Sequence, residues 1–507
     1  MGILHKAAQY RAYKEGVVHT TLNPKGPGSV RIHLIPPKWR LFSNAPYVMI
    51  LNGYYILPLG YSWAILLGSF IGEVNKFEGE PIDERHMEQI MDRAVARTRR
   101  VYYVKEEELR ADLQEILTML YGVARGEEPS GDIEPLSLRE YARNMTAPHR
   151  MDLMISSILD EGGNWNCSLK CRNCYAAGQP AAGGKELSTQ EWYEIIDRCR
   201  RAGICQLTFT GGEPTMRSDL AELVRHARWF VTRLNTNGTM LTGELCEALY
   251  EASLDSVQIT LYSGDAGIHN RLVGADLPGS TGNWEKTAAG LENALKAGLN
   301  VSVNTPLCRE NRDYIRTLAF LNRAGVRYVT CSGLIETGKA ESGDSQLTVE
   351  EMNSLLREAI AFCSQHGMEL SFTSPGRADK KVLEELGIAV PMCGACLSNM
   401  AVAPDGSVVP CQSWLGEGAA LGNMRKDSWK KIWNHPSCKA IREMSEEEAL
   451  YCPLRKEKTA EGKEAAENGH HRSKVWCETF LLEKSRHSTS LNQYLMCVGE
   501  LNTRIVE

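Results

Sequence analysis

Strand-like and helical runs alternate through the middle of the chain, and this alternation constrains the fold more than any other feature of the sequence. Apolar runs predict strands at Met151 to Leu159, Gln206 to Thr210, Phe230 to Asn235, Ser256 to Leu261, Asn300 to Thr305 and Tyr328 to Ser332. Amphipathic runs between them predict helices at Thr189 to Ala202, Asp219 to Ala227 and Trp284 to Ala297. Such alternation implies parallel strands joined by right-handed crossovers. We therefore predict an α/β fold with a partial (β/α)6 barrel over residues 150–345, with its chemistry at the carboxyl ends of the strands.

A long uncharged run marks the N-terminal region. No charged residue occurs from Leu41 to Gly72, which is long enough for a transmembrane helix. However, Asn52-Gly53 is a hairpin signal between two short apolar runs, and Pro58 to Gly60 is a breaker after the second run. We therefore predict two strands, Tyr47 to Leu51 and Tyr54 to Leu57, and no membrane segment.

Two helices are predicted after these strands, because apolar residues recur every three or four positions over Glu84 to Arg97 and Glu106 to Tyr121. The segment Ala124 to Asp132 is polar and contains Gly and Pro, which is typical of a linker. Residues 1–132 are therefore predicted to form a separate, winged-helix-like α+β domain.

The cysteine content indicates metal binding. The chain has 16 cysteines among 507 residues, and its first ten residues lack the apolar core of a signal peptide. Thiols in a large chain of this kind are expected to stay reduced in the cytoplasm, where clustered thiolates can bind iron or zinc. The formal net charge of −6 gives no basic field, so we expect no nucleic-acid partner.

One cysteine cluster follows the first predicted barrel strand. Cys167, Cys171 and Cys174 have Cx3Cx2C spacing, which lets three thiolates from one loop converge on a cubane cluster and leaves one iron open. A zinc knuckle or three buried thiols are the alternatives, but zinc sites usually take four ligands in two pairs and no paired partner lies nearby. Tyr175 directly follows and could stack on the base of a ligand or serve only in packing.

This spacing, with Tyr175 behind it, resembles that of the radical S-adenosylmethionine (SAM) superfamily, whose open iron chelates the amino and carboxylate groups of SAM. Gly211, Gly212, Glu213 and Pro214 follow the second strand and are similar to the GGEP motif of that family. The resemblance implies close backbone approach at the glycines and a role for Glu213 in holding the SAM ammonium group.

Polar residues end the next two strands, where barrel enzymes place ligand-binding groups. Asn235 and Asn237 end the third strand, and Thr260 and Ser263 end the fourth. All four are similar to contacts with SAM in the family, although each could instead form an Asx turn or cap a helix. His269 precedes Asn where the family often has a His-Asp pair, so we predict packing or capping for His269 and assign no catalytic proton transfer.

The C-terminal part resembles a SPASM domain, the auxiliary iron-sulfur domain of radical SAM enzymes that modify peptides and proteins. A helical bridge is predicted over residues 346–390, and the SPASM-like domain over residues 391–507. The resemblance rests on Cys396, nine residues, a glycine, four residues and Cys411, with Cys393 upstream as a third thiolate. The expected later cysteines are mostly missing, so Cys452 or Cys477 is predicted to complete one auxiliary [4Fe-4S] cluster, and a second cluster would need unusual spacing.

Together, these resemblances imply a maturase of ribosomally made peptides, with an N-terminal element that adds the leader of a precursor peptide to a sheet edge. Thioether formation from a peptide cysteine, as in sactipeptides and ranthipeptides, is the predicted reaction, with flavodoxin or ferredoxin as reductant. Carbon-carbon crosslinking, backbone excision and formylglycine formation are alternatives within the same class. A non-catalytic iron-sulfur protein that only binds a peptide is the alternative from another class, and the GGEP-like motif argues against it.

Overall fold

The structure, a computed structural model, describes residues 18–22, 28–37, 47–77, 82–101, 103–129 and 133–454. Its N-terminal part is a four-stranded antiparallel sheet in the order β1-β2-β3-β4, covered by helices. The strands are β1 (Val18–Leu22), β2 (Val30–Ile35), β3 (Tyr47–Leu51) and β4 (Tyr55–Leu59). The helices are α1 (Tyr61–Val74), α2 (Glu84–Arg99), α3 (Glu106–Ala124) and the short α4 (Leu138–Ala142).

The uncharged run forms a hairpin and a helix. Asn52 and Gly53 both have positive φ at the turn, as predicted, but β4 begins at Tyr55, one residue late. Pro58 was expected to end this strand, yet it lies inside it. The carbonyl of Ile56 accepts from the Leu136 amide at 2.7 Å and so faces away from β3, as does Pro58 two residues later. A missing N–H is tolerated at such an edge.

Helix α1 was not predicted, because it is apolar nearly all round and shows no clear helical period. Nine of its fourteen residues are buried, between the sheet and the helices α2 and α3. No helix in the described part of the chain is both long and apolar enough to cross a bilayer.

A ten-stranded sheet forms the rest of the molecule. Its parallel strands are β5 (Arg150–Ser156), β6 (Gln206–Gly211), β7 (Val231–Thr236), β8 (Ser256–Thr260), β9 (Val301–Leu307), β10 (Tyr328–Gly333) and β11 (Glu369–Phe372). The strand β12 (Asn399–Val402) pairs in parallel with β5, and the antiparallel strands β13 (Ser407–Val409) and β14 (Gly422–Asn423) follow. All six predicted strands are confirmed. The sheet order leaves β11 and β14 at the two edges, so the barrel is partial, as predicted.

Helices connect the parallel strands and cover the outside of the sheet. They are α5 (Thr189–Ala202), α6 (Leu220–His226), α7 (Gly243–Glu251), α8 (Ala266–Val273), α9 (Trp284–Lys296) and α10 (Tyr314–Arg323). The C-terminal helices are α11 (Val349–Gln365), α12 (Lys380–Glu385), α13 (Trp429–Trp433), α14 (Pro436–Arg442) and α15 (Glu446–Ala449). The segment over residues 346–390, expected to be helical, therefore also contributes β11 to the barrel sheet.

Local sequence explains where these helices start and stop. Ser188 and Glu191 form a capping box at the start of α5, and Gly203 ends the helix with φ of +91°. Between these signals, Trp192, Ile195 and three other apolar or small residues lie on one buried face. This face packs in the barrel core.

The N-terminal sheet packs against the amino ends of the barrel strands. One of its faces contributes Ile35, Val48, Ile50 and Ile56 to the barrel core, and its other face packs on α1, α2 and α3. The carbonyl of Gly53 accepts from Gln206 Nε2 at 2.6 Å, at the first residue of β6. Both faces of the sheet are thus buried, and the sheet covers the end of the barrel opposite the expected active site.

One buried ion pair fixes this contact. The side chain of Arg31 on β2 is 3% exposed, and its Nη2 lies 3.0 Å from Asp255, the residue before β8. Arg31 also donates to the carbonyl of Ser253 at 3.2 Å, and Asp255 accepts from the Thr232 amide at 2.7 Å. The pair therefore joins the N-terminal sheet to β7 and β8.

Candidate active site

A cavity of about 480 Å³ opens at the carboxyl ends of the barrel strands. It is bounded by the loop after β5, the turn after β6, the ends of β7 to β10 and part of the SPASM-like region. Cys167, Cys171 and Cys174 line it on one side, and Cys393, Cys411 and Cys452 also line it. Two groups of three thiols therefore share one cavity.

The first group lies on the loop between β5 and α5. Backbone bonds hold this loop against the end of α8, from the Lys170 amide to the Val273 carbonyl at 3.0 Å and from the Arg172 amide to the Leu272 carbonyl at 2.9 Å. Burial, and then the nearby Glu213, raises the pKa of Cys167 to about 12. Burial also raises the pKa of Cys171 and of Cys174. The thiols therefore release protons when they bind a metal.

This arrangement fits an iron-sulfur cluster better than a single ion. No three His, Cys, Asp or Glu side chains in the described residues are grouped closely enough to hold one metal ion. Each thiolate of a cubane binds a different iron, so its ligands stand farther apart than those of one ion. Three thiols on one short loop, facing one cavity, meet that requirement.

The turn after β6 packs directly on the end of β5. Gly211 has φ of +137°, and a Cβ atom there would lie 2.3 Å from the Ser156 carbonyl oxygen. A Cβ atom on Gly212 would lie 2.5 Å from the Ser157 carbonyl oxygen. The glycines thus permit close approach of the turn to β5, and both also line the cavity. Pro214 begins the short helical turn that follows and is buried.

Glu213 lies at the cavity wall, and its carboxylate is held by the protein. Its Oε1 accepts from the amide of Thr215 at 3.0 Å and from the Thr236 hydroxyl at 2.6 Å. Its Oε2 accepts from the Asn237 amide at 2.8 Å. Burial raises the pKa of Glu213, whereas these hydrogen bonds lower it. The side chain therefore ties the end of β6 to the end of β7, a positioning function that the motif did not reveal.

The other predicted SAM contacts divide into two groups. Asn235, Thr260 and Tyr175 line the cavity, and Asn235 Oδ1 is buried without a hydrogen-bond partner in the described part of the chain. Asn237 also lines the cavity, but its Oδ1 accepts from the amide of Thr239 at 2.9 Å in an Asx turn. Ser263 lies outside the cavity, where its hydroxyl accepts from the Asp265 amide at 3.0 Å. Among these side chains, Asn235 therefore has the clearest capacity for a ligand.

His269 lies close by but does not line the cavity. It is fully buried in α8, and its Nδ1 accepts from the Tyr262 amide at 3.3 Å. Burial lowers the pKa of His269 to about 4. The residue is therefore neutral and packed.

The auxiliary thiols differ in their surroundings. Burial raises the pKa of Cys411, and the nearby Cys393 and Cys452 raise it further, so these three sulfur atoms are close neighbours. Cys396 is fully buried, does not line the cavity and donates a hydrogen bond to Cys438. The structure therefore groups Cys452 with Cys393 and Cys411 around the cavity, and Cys396 lies behind them, where burial raises its pKa and Cys438 and Cys411 both raise it further. Cys477 lies outside the described residues.

The barrel interior beside these thiols is polar. Inward-facing residues that line the cavity are Thr210, Arg233, Asn235, Gln258, Thr260, Asn304, Thr330 and Ser332. Gln258 donates to Thr330 at 3.2 Å, and Thr330 donates to Asn304 at 3.0 Å. Many (β/α) barrels fill this space with branched apolar residues. Sequence reasoning missed most of this lining, although polar residues at every second position of β7 to β10 were a visible signal.

Comparison with known proteins supports the site. Residues 166–321 match the Radical SAM superfamily, and residues 393–454 match SPASM, an iron-sulfur cluster-binding domain. The AdoMet-dependent heme synthase of Oleidesulfovibrio alaskensis is 29% identical over 286 residues, which cover 53% of this chain and 72% of that protein.

Two solved structures share the fold. Streptococcus suis SuiB bound to precursor peptide SuiA has a TM-score of 0.52 at 14% identity, covering 85% of this chain and 90% of that chain. SuiB bound to S-adenosylmethionine has a TM-score of 0.51 at 15% identity, covering 81% of this chain and 90% of that chain. In both matches the aligned part of this chain is longer than the barrel and the SPASM region together, so it includes part of the N-terminal region.

Fold and site together define an enzyme of the radical SAM class. The chain carries a radical SAM domain over residues 166–321 and a SPASM domain over residues 393–454. Its cofactors are accordingly SAM, the [4Fe-4S] cluster that binds SAM and at least one auxiliary [4Fe-4S] cluster.

Proposed function

We propose that this enzyme modifies a ribosomally made precursor peptide and joins a peptide cysteine to a carbon of a neighbouring residue as a thioether. The observation that carries the proposal is the shared cavity. Cys167, Cys171 and Cys174 line it together with Cys393, Cys411 and Cys452, so a substrate in the cavity would lie within reach of both sites.

The cofactors and the chain contribute different parts of the reaction. When bound, SAM and the reduced cluster would supply a 5′-deoxyadenosyl radical able to take one hydrogen atom from the peptide carbon, and an auxiliary cluster would be available to accept the electron released as the carbon-sulfur bond forms. The thiol proton leaves to solvent. In the chain, Asn235 and Thr260 would contact SAM, Glu213 would hold the turn that supports it, and the polar barrel wall would orient the peptide.

The auxiliary site suits a sulfur-containing substrate. Cys393, Cys411 and Cys452 are three thiols, which leave one iron of a cubane for a further ligand. A peptide thiolate at that iron would be deprotonated and fixed beside the carbon radical. Cys396, which interacts with Cys411, or Cys477 could instead supply the fourth ligand, in which case the auxiliary cluster would only accept the electron.

Recognition of a leader peptide is the second part of the proposal. The outer edge of β4 is blocked by Pro58 and by the bond from the Leu136 amide. Strand β1 forms the other edge, and β1 and β2 are paired so that the backbone groups of His19 and Thr21 face outward. The His19 carbonyl already accepts from Asn75 Nδ2 at 3.0 Å, so a leader would pair mainly with Thr21. We expect the leader to add at β1. The relative SuiB has been solved with its precursor peptide SuiA, and its fold supports a peptide substrate here.

This location sets a minimum distance between leader and modified residue. Strand β1 lies at the amino end of the barrel, whereas the thiols lie at the carboxyl end. The seven residues of β5 span about 23 Å between the two ends. An extended peptide covers about 3.3 to 3.6 Å per residue. The peptide therefore needs at least roughly seven residues between the segment bound at β1 and the modified residue.

The test of peptide modification uses a cysteine-containing peptide encoded beside the gene, incubated anaerobically with SAM, dithionite and the reconstituted enzyme. We expect a product that has lost two hydrogen atoms and one reactive thiol, as measured by mass spectrometry before and after alkylation. An unmodified peptide under conditions in which SAM is cleaved would contradict the proposal.

A variant pair tests leader binding at β1. Thr21→Pro removes the outward N–H and should weaken precursor binding, whereas Thr21→Val also loses the bond from Arg31 at 3.1 Å but keeps the N–H. Equal affinities of the two variants for the full-length precursor would place the leader elsewhere.

The heme synthase relative supplies a second candidate, a small tetrapyrrole substrate. The polar cavity, with Arg233 in its lining, could accept carboxylate side chains. However, the sequence match covers only 53% of the chain. A tetrapyrrole substrate would also leave the N-terminal sheet without a role in substrate binding. Incubation with an iron-containing porphyrin that bears propionates, followed by mass spectrometry, decides between the two candidates.

A further inference from the structure

Tyr175 lies between the two groups of thiols that share the cavity. It directly follows Cys174 in the chain, so its backbone belongs to the loop that carries the first group. Its side chain packs against an apolar group that includes Val409 and Leu415. These two residues flank Cys411, which belongs to the second group. One side chain therefore reaches from the SAM-cluster loop to the auxiliary site.

Hydrogen bonds fix the position of this residue. The carbonyl of Tyr175 accepts from Gln179 Nε2 at 2.6 Å and from the Thr337 hydroxyl at 3.1 Å. Farther along the loop, the amide of Ala181 donates to the Leu415 carbonyl at 3.0 Å, which joins the loop to the SPASM-like region. The ring is therefore carried by a backbone that is held from several sides.

The hydroxyl of Tyr175 lies near one sulfur atom of each group. Burial raises the pKa of Tyr175, and the nearby Cys174, Asp152 and Cys411 raise it further. Tyr175 also lines the shared cavity. Its hydrogen bonds to other described residues involve the carbonyl, so the hydroxyl can still donate one. Three acceptors are thus available to it, two sulfur atoms and one carboxylate.

The two sulfur atoms differ in the hydrogen bonds that they already accept. The backbone amides of Ala176 and Ala177 donate to Cys174, whereas the Ser413 amide donates to Cys411. Once a cluster is bound, each of these sulfur atoms is a thiolate and accepts hydrogen bonds more strongly than a thiol. A tyrosine hydroxyl has a single hydrogen to donate. Cys411 therefore has more remaining capacity for it than Cys174.

Asp152 is the competing acceptor. It is fully buried, and its Oδ1 and Oδ2 accept from Arg150 at 2.9 and 3.4 Å. Arg150 therefore already balances the charge of this carboxylate and leaves it less need of a second donor than a cluster thiolate has.

We propose that the Tyr175 hydroxyl donates a hydrogen bond to Cys411 when the auxiliary cluster is bound and thereby raises the reduction potential of that cluster. Reduction adds negative charge to a cluster, so a hydrogen bond to a ligand sulfur stabilises the reduced state more than the oxidised state. The auxiliary cluster then accepts an electron more readily, which matches the role given to it in the proposed function. The hydrogen bond itself depends on the two cluster sites and not on the substrate.

The test is Tyr175→Phe, which removes the hydroxyl and keeps the ring. We expect the equilibrium constant for reduction of the auxiliary cluster to fall about tenfold, which corresponds to about 59 mV for one electron. A redox titration of the reconstituted holoenzyme, followed by electron paramagnetic resonance, measures both clusters, and added SAM identifies the signal of the cluster that binds it. The iron content, the potential of the SAM-binding cluster and the affinity for SAM should match wild type.

A second buried tyrosine provides the matched control. Tyr262 is 6% exposed and also lines the cavity. Burial raises the pKa of Tyr262, and the nearby Cys171 and Cys174 raise it further, so its hydroxyl lies beside the first group of thiols. Tyr262→Phe should therefore leave the potential of the auxiliary cluster unchanged.

The other outcomes assign the hydroxyl to a different acceptor, and each of them overturns the proposal. Wild-type potentials of both clusters in Tyr175→Phe, with wild-type affinity for SAM, would assign it to Asp152. A shift confined to the SAM-binding cluster would assign it to Cys174. Unchanged potentials with weaker SAM binding would assign it to SAM. Electron-nuclear double resonance in deuterated water supplies a second measurement, because Tyr175→Phe should lose one exchangeable deuteron coupled to the auxiliary cluster.

Discussion

The two ends of the barrel are built from the same strands but use their polar groups differently. At the carboxyl end, polar groups such as Asn235 face a cavity, and Asn235 Oδ1 is buried without a partner in the described chain. At the amino end, Arg31 and Gly53 are held by several hydrogen bonds, and the N-terminal sheet covers the surface. Polar groups at the carboxyl end remain available for ligands, whereas those at the amino end are used in contacts that stabilise the fold. Substitutions at the carboxyl end should therefore change activity more than stability, and substitutions at the amino end should do the reverse.

The largest expected effect is at the carboxyl end. Combined Cys167→Ala, Cys171→Ala and Cys174→Ala should abolish SAM cleavage, because no thiolate remains to hold the SAM-binding cluster. Iron bound at Cys393, Cys411 and Cys452 should remain, as measured by iron content and absorbance after anaerobic reconstitution. A triple variant with no iron-sulfur absorbance would contradict an auxiliary cluster. The melting temperature of the apoprotein should stay close to wild type.

The next effect is at the amino end. Asp255→Ala leaves the 3% exposed Arg31 without its carboxylate, and loss of one partner of a buried pair costs about 3 to 5 kcal/mol. We expect faster hydrogen exchange in β2 and in α1 to α3, measured by mass spectrometry. Asp197→Ala is the matched control, since Asp197 forms an exposed pair with His226 at 3.1 Å and its loss should cost at most about 1 kcal/mol. Similar exchange in both variants would show that Arg31 does not fix the sheet.

Acid should also weaken the amino end. Burial lowers the pKa of His19 to about 2, of His33 to about 3 and of His149 to about 4. These residues are neutral in the folded protein but protonate near pH 6.5 when unfolded, so their stability contribution is complete above pH 6.5 and declines as pH falls toward the folded values. At pH 5 the loss is about 2 kcal/mol for each.

Thermal unfolding of the apoprotein at pH 7 and pH 5 measures this loss. His149→Gln is the informative variant, because glutamine can still donate to the Gly53 carbonyl but does not titrate. Its stability should depend less on pH than that of wild type. If the stability of the two proteins depended equally on pH, His149 would not contribute to the loss of stability in acid.

The smallest expected effect returns to the carboxyl end. Glu213→Ala removes the carboxylate that joins Thr215, Thr236 and Asn237, and bonds of this kind contribute about 1.5 to 3 kcal/mol. SAM binding should weaken about tenfold while the iron content stays unchanged. Equilibrium titration of the reconstituted variant with SAM measures the affinity, and an unchanged dissociation constant would show that Glu213 has no role in SAM binding.

Sequence patterns correctly predicted the elements whose structure depends on residues close together in the chain. The six barrel strands, the helix α5 and the hairpin at Asn52 and Gly53 were predictable, because period, capping and turn residues act over a few positions. Helix α1 was not predicted because its apolar residues face in all directions. Strand β11 has only four residues, Glu369–Phe372, and half of them are buried, so it gives little signal.

Contacts between segments that lie far apart in the chain could not be predicted from the sequence. Gln206 and Gly53 lie far apart in the chain, and nothing in either segment indicates that they meet. The same holds for Cys396, whose spacing to Cys411 matched the SPASM pattern but did not indicate that it also donates a hydrogen bond to Cys438. Spacing shows which cysteines are available as ligands, and the fold decides which of them share a cavity.

The close packing of the β6 turn on β5 links the two cofactors mechanically. Gly211 and Gly212 rest on the backbone of Ser156 and Ser157, and the chain runs from there to the cysteine loop, where Cys167 contacts the Gly212 carbonyl at 3.5 Å. The cysteine loop therefore touches the turn that is predicted to support SAM. We expect a preparation with incomplete iron to bind SAM weakly for two reasons, the missing metal and a cysteine loop that is no longer fixed against this turn.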